Sequence, residues 1–141
     1  MEFLAMSQIS ASNLGLVRRA LAAADAGDRE SLEEFMHLDL VVTLAGVSEP
    51  IVGREHWLGG VLEMAAAFPD LQTTVVDAVC EGDVVAVRSV LRGTHSGRFN
   101  GLAATGRSIE VMSNDFYRIE SGRIVEAWIV TDTGTLFGQI S

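Results

Sequence analysis

The apolar positions of the chain recur mostly at helical spacing before Pro69 and at strand spacing after it. Over residues 12–26, Leu14, Val17, Leu21 and Ala24 recur at helical spacing, with Ser12 or Asn13 placed to cap the first turn. Gly27 ends that helix, and Asp28 caps a second one running to about residue 36. It turns Glu30, Glu33 and Glu34 outward and Leu32, Phe35 and Met36 inward. Residues 40–44 are rich in β-formers, and residues 46–53 read as a loop broken at Glu49-Pro50. A third helix is expected over about 54–67, with Trp57, Val61, Met64 and Phe68 on one stripe. Pro69 stops it, having no N–H to donate. Beyond Pro69 the pattern alternates. Residues 71–79 and 84–94 form a hairpin across Glu81-Gly82-Asp83, and residues 109–119 and 124–132 form another across Glu120-Ser121-Gly122. A glycine-rich loop over about 96–106 joins the two, and an apolar tail, 136–140, closes the chain.

Three helices with one short strand among them, followed by four long antiparallel strands, predict an α+β fold. The 141 residues suit one domain spanning 1–141, with residues 1–10 as an extension before the first helix. No run of about 18 apolar residues exists to cross a membrane, and Met1-Glu2-Phe3-Leu4 lacks a secretory leader's basic and apolar regions. Cys80 is the single cysteine, so no internal disulfide can form, and a cytoplasmic protein is expected. The formal charge is −9, no lysine is present, and the arginines are scattered, which argues against nucleic acid and anionic membranes as partners. His37, His56 and His95 fall in separate elements without ligand spacing, so no metal is expected. Neither a phosphate-binding loop nor a nucleophile with its base is visible, and no cofactor is expected.

Four stretches carry a resemblance: Ala67-Phe68-Pro69-Asp70-Leu71, then Val87-Arg88 with Arg92-Gly93-Thr94-His95-Ser96-Gly97, then Thr105-Gly106-Arg107. The fourth runs from Phe116-Tyr117-Arg118-Ile119 through Gly122-Arg123-Ile124-Val125-Glu126-Ala127-Trp128. Together they resemble the SnoaL-like polyketide cyclases over nearly the whole chain. The resemblance implies an NTF2-like cone, a curved antiparallel sheet with helices enclosing one pocket. It also implies an apolar polyketide-like substrate and a homodimer formed through the convex sheet face.

Period-two alternation sorts residues 109–119 into a face with Ile109, Val111, Ser113, Asp115 and Tyr117 and a face with Glu110, Met112, Asn114, Phe116 and Arg118. By the resemblance the first face is concave. The same alignment turns Val87, Ser89 and Leu91 inward, with Ile129 on the last strand, Leu44 on the first, and Trp57, Val61 and Met64 on the third helix. The expected pocket is hydrocarbon around one carboxylate, whose burial would raise its pKa and suit it to acid/base work or to donating a hydrogen bond. Ketosteroid isomerases share the fold, and their hydrogen-bonding aspartate, a carboxylic acid kept neutral by its apolar site, matches Asp115. The structural alternative is an Asp115 satisfied by a backbone amide or by Tyr117, or solvated on a reversed strand.

Other matched positions depart from the family. The acid/base aspartate of anthracycline-type cyclases falls on Ile129, and their pocket histidine on Asp115. The ketosteroid isomerase base falls near Leu44, and its tyrosines near Ala20 and Val61. His95 is a candidate for proton transfer at the cavity rim or, with more weight, for a hydrogen bond organising the loop. Tyr117 either donates to a substrate oxygen or closes the floor of the cone. Asp132, out of phase with Ile129 and Thr131, is expected to cap the tail turn. The reading reached is a cofactor-independent enzyme of secondary metabolism performing ring closure or isomerisation, with templating by the pocket, pericyclic closure included. Epoxide opening and non-catalytic binding of small molecules are the alternatives.

Overall fold

Among the described residues, three of the four helices precede Pro69 and four of the six strands follow it. The computed structural model describes residues 2–141, with side chains from Gln8 onward. The elements are α1 (Glu2–Ala26), α2 (Arg29–Phe35), β1 (Met36–Leu44), β2 (Ile51–Val52), α3 (Arg54–Ala67), β3 (Gln72–Glu81), β4 (Val84–Thr94), β5 (Ser108–Glu120), β6 (Arg123–Thr131) and α4 (Thr133–Ile140). The six strands form one sheet in the order β2-β1-β6-β5-β4-β3. The expected α+β cone is present: a curved, unclosed sheet with helices on its concave side.

Four details differ from the sequence reading. The sheet is mixed, because β1 runs parallel to β6 while every other neighbouring pair is antiparallel. No tight turn joins β1 to β6, so nothing local imposes an antiparallel direction on that pair. The expected loop 46–53 contains β2, which pairs Val52 with Val41 and Ile51 with Val42. The apolar tail is a fourth helix, α4, capped by Asp132, whose Oδ1 accepts from the Thr135 amide at 3.1 Å. Finally, α1 starts at Glu2, so Ser12 and Asn13 lie inside it and residues 2–10 continue it; Met1 lies outside the described residues.

Bending comes from irregular registers. Between Val75 and Asp77 the β3–β4 register slips by one, leaving Val76 as an extra residue, and the β5–β6 register shifts between Arg118 and Ile119. Bulges of this kind increase local twist and curl a sheet. Helix α1 packs over β3 and β4, α3 over β1, and α4 over β5. The core accordingly divides in two. One part joins Leu16, Val17 and Ala20 of α1 to Val85, Val87 and Tyr117; the other joins Leu136 and Ile140 of α4 to Ile109 and Val111. Between these packed regions the helices stand off the sheet.

Candidate active site

The space left there is a cavity of about 390 Å³ between α1, α3 and the concave face. Strand β5 supplies its polar floor. Because alternate residues share a face, Ser113, Asp115 and Tyr117 all point inward. The register adds hydroxyls on either side, with Ser89 of β4 and Thr131 of β6 directly flanking Ser113.

Asp115 is 4% exposed. Its Oδ1 accepts from the Ser113 hydroxyl at 2.8 Å and from the Val130 amide at 3.3 Å, and its Oδ2 accepts from the Tyr117 hydroxyl at 3.2 Å. Ser113 Oγ is also 2.8 Å from Thr131 Oγ1. Burial raises the Asp115 pKa above its ordinary 3.8, and the bonds from Ser113, Tyr117 and Val130 pull it back only in part. Tyr117 is pushed well above 10, first by burial and then by the neighbouring Asp115 charge, so its hydroxyl keeps its proton and remains a donor. The result is a carboxylate with three fixed donors and oily surroundings, more basic than an ordinary aspartate.

Of the residues expected at the pocket, Leu44, Trp57, Val61 and Met64 line the cavity, as do Ser89, Leu91, Ser113, Asp115, Tyr117 and Ile129. Val87 and Val111 do not. Val87 shares the inward phase but is covered by the packing of α1, and Val111 by α4, the helix that sequence periodicity read only as a tail. His95 is absent from the cavity wall and 0% exposed. Strand β4 ends at Thr94, so strand phase no longer applies one residue later. His95 Nδ1 accepts from the Thr105 amide at 3.3 Å, its ring stacks on Phe68 at 5.5 Å between centroids, and its backbone pairs with Arg107 and Gly106. It ties the base of the loop, the role that carried more weight in the sequence. His56 is exposed on α3, and His37 Nδ1 accepts from the Asp39 amide at 3.0 Å. Among the described residues no three His, Cys, Asp or Glu side chains are grouped to hold a metal ion. No helix among them is long and apolar enough to cross a membrane.

Of the contributors that the sequence reading did not place at the pocket, two bear on its chemistry. Asp25 of α1 lines the cavity, its Oδ2 and Oδ1 accepting from the Thr73 amide and hydroxyl, each at 2.7 Å. Burial raises its pKa, opposed by those two bonds. The signal was its spacing: Asp25 stands one turn beyond Leu21, on the stripe that Val17 and Leu21 define. The second is the loop joining β4 to β5. Phe99 and Leu102 exchange both backbone hydrogen bonds around Asn100 and Gly101, which have φ of 50° and 81°. Asn-Gly is the preferred pair for a two-residue hairpin turn of this hand. This tip brings Phe99 and Asn100 to the cavity, where the Asn100 amide donates to Glu63 Oε1 at 3.2 Å.

Comparison with known proteins adds the lineage. The sequence pattern of the SnoaL-like polyketide cyclase family matches residues 15–140. Aklanonic acid methyl ester cyclase DnrD of Streptomyces peucetius is 28% identical over 115 residues, covering 80% of this chain and 79% of DnrD. Among solved structures, IdmH of Streptomyces antibioticus is 38% identical with a TM-score of 0.78, covering 90% of this chain and 96% of IdmH. A SnoaL-like protein of Jannaschia sp. CCS1 superposes with a TM-score of 0.85 over 94% of each chain at 22% identity, a likeness of fold.

Proposed function

This chain belongs to the SnoaL-like polyketide cyclase family, and from that premise we propose that it is a cofactor-independent cyclase of secondary metabolism acting in the cytoplasm on an apolar, polyketide-like substrate. The observation that carries the reading is Asp115: a carboxylate held by three donors, nearly sealed from solvent, on the wall of a hydrocarbon cavity. In a ring closure of the aldol type, Asp115 takes a proton from the carbon next to a substrate carbonyl. The C–H electron pair passes into the enolate, whose carbon attacks a second carbonyl of the same molecule. A C–C bond forms, the second C=O π pair moves onto its oxygen, and that oxygen takes the proton back from Asp115. The net change is an isomerisation, with no other reactant consumed. Tyr117 and Ser113 hold the carboxylate in place while the apolar walls fold the chain, and bringing the two ends together lowers the barrier by several kcal/mol of its own.

The chain departs from the family at the base itself. By the resemblance, Ile129 stands where the anthracycline-type cyclases have their acid/base aspartate, and Ile129 is the direct cross-strand partner of Asp115. In this proposal Asp115, on the neighbouring strand and lining the same cavity, serves as the base instead.

The test is turnover. Aklanonic acid methyl ester, which the name of the DnrD relative gives as that enzyme's substrate, is the first compound to offer. An isomeric product should form, separable by chromatography at unchanged mass, and Asp115→Asn should slow it about 10²–10⁴-fold. Unchanged turnover in Asp115→Asn would remove proton transfer and leave templating alone.

We further propose that a second copy covers the convex face. Val79, Ala86, Phe116 and Trp128 stand side by side across four strands there, with Val79 68% and Phe116 51% exposed. An apolar row of this extent on a sheet surface is the kind of patch that associates.

A further inference from the structure

The cavity has a second polar pole. Thr73 pairs with Leu91 and Leu91 with Val111, so Thr73, to which Asp25 of α1 is bonded, lies two strands across and four residues along from Asp115. By strand dimensions that is about 10 Å in one direction and about 13 Å in the other, measured on the sheet. On the sheet, Leu91 and then the Ser89 and Ser113 hydroxyls lie between the poles, and apolar side chains such as Met64 and Val61 of α3 line the cavity opposite.

The two poles share one chemical character. Both oxygens of Asp25 accept from Thr73, at 2.7 Å each, so the group is oriented as an acceptor and its remaining lone pairs are what it offers to the cavity. Asp115 is likewise filled with donors. Glu63 adds a third carboxylate at the loop tip. Among the described residues lining the cavity there is no arginine or histidine, and the chain has no lysine. A ligand anion would enter this space without a counter-charge and beside like charges, which costs more the less water is present.

We propose that Asp25, positioned by Thr73, is a specificity subsite that accepts a hydrogen bond from a substrate hydroxyl at the end remote from Asp115. The cavity thereby selects neutral, hydroxylated apolar molecules and rejects those carrying a free carboxylate at that end. This rests on the reading of the cavity as the substrate site.

Three rigid tricyclic probes test it by titration calorimetry: 2,6-dihydroxyanthraquinone, 2-hydroxyanthraquinone and anthraquinone-2-carboxylate. The wild-type protein should bind the dihydroxy compound about tenfold more tightly than the monohydroxy compound, and the carboxylate most weakly. In Asp25→Ala the dihydroxy preference should fall to twofold or less while monohydroxy affinity holds. Asp25→Asn, which keeps the shape, should recover carboxylate binding about tenfold and serves if the alanine variant does not fold. Thr73→Val should weaken the dihydroxy compound alone. An unchanged dihydroxy preference in both Asp25 variants overturns the proposal and leaves the Asp115 chemistry standing. Failure of all three compounds to bind the wild-type protein overturns it together with the reading of the cavity. Retained turnover in Asp115→Asn alongside the expected Asp25 pattern removes the proposed chemistry and leaves the subsite.

Discussion

Tyr117 donates its hydroxyl to Oδ2 of Asp115 at 3.2 Å from two residues further along the same strand, with both side chains buried. Residues i and i+2 of a strand share a face, so this contact follows from extended backbone alone, and its energetic weight comes from the dry surroundings. The donor favours the ionised form of a group that burial disfavours. Replacing Tyr117 with Phe removes that support, and the Asp115 pKa rises further. For a reaction that needs the carboxylate as base, the acid limb of the kcat/KM profile should move to higher pH, with the rate on that limb falling about tenfold. A limb that stays in place would show that Tyr117 only fills space.

Stability should report the same carboxylate. A folded-state pKa raised above the ordinary 3.8 means that the native protein binds this proton more tightly than the unfolded chain. The resulting stabilisation is complete below the ordinary value and is lost as pH rises through the raised one. Asp115→Asn carries no charge to bury, so its Tm relative to wild type should be higher at pH 7 than at pH 3.5, by a difference of about 2–4 °C for each kcal/mol involved. Thermal melts at the two pH values check the sign, and a difference that grows toward acid pH would contradict it.

The loop over the cavity depends on a close approach. The Gly97 amide donates to the Ala67 carbonyl at 3.0 Å, and a Cβ at Gly97 would meet the Ala66 carbonyl oxygen at 2.9 Å and Ala67 Cα at 3.2 Å. Those atoms are helix backbone and cannot swing aside. Gly97→Ala should cost about 1–3 kcal/mol in chemical denaturation. It should also raise KM more than it lowers kcat, since Phe99 and Asn100 are displaced while Asp115 is untouched. His95→Ala, which empties a fully buried site, should destabilise by about 2–4 kcal/mol and leave the pH profile of kcat where it was. A shifted profile would return His95 to the chemistry.

Phe116 stands at the middle of the convex row, between Ala86 and Trp128. Phe116→Asp places a charge where a second copy is proposed to pack. Light scattering should find a dimer for wild type and a monomer for the variant, with turnover per chain changed less than about threefold if the site is complete in one chain. A monomeric wild-type protein refutes the second copy.

Much of this was legible in the chain because it depends on local period. Alternation along 109–119 puts Ser113, Asp115 and Tyr117 on one face whatever packs against them, and Pro69 and Gly27 end helices through their own backbone chemistry. The Asp132 cap needed only the Thr135 amide and hydroxyl three residues on. The tertiary structure decided what covers each inward residue. Val87 and Val111 have the same phase as Leu91 and Ser113, but α1 and α4 lie on the first two and leave the second two open. His95 lost its strand phase where β4 ends, and β1 found β6, a pairing across the whole chain that no short-range pattern encodes. Asp25 stood on an apolar stripe in plain view, and Thr73, its partner, lies 48 positions away. Period tells which way a side chain points; only the folded chain brings the neighbour that turns direction into burial, and burial into chemistry.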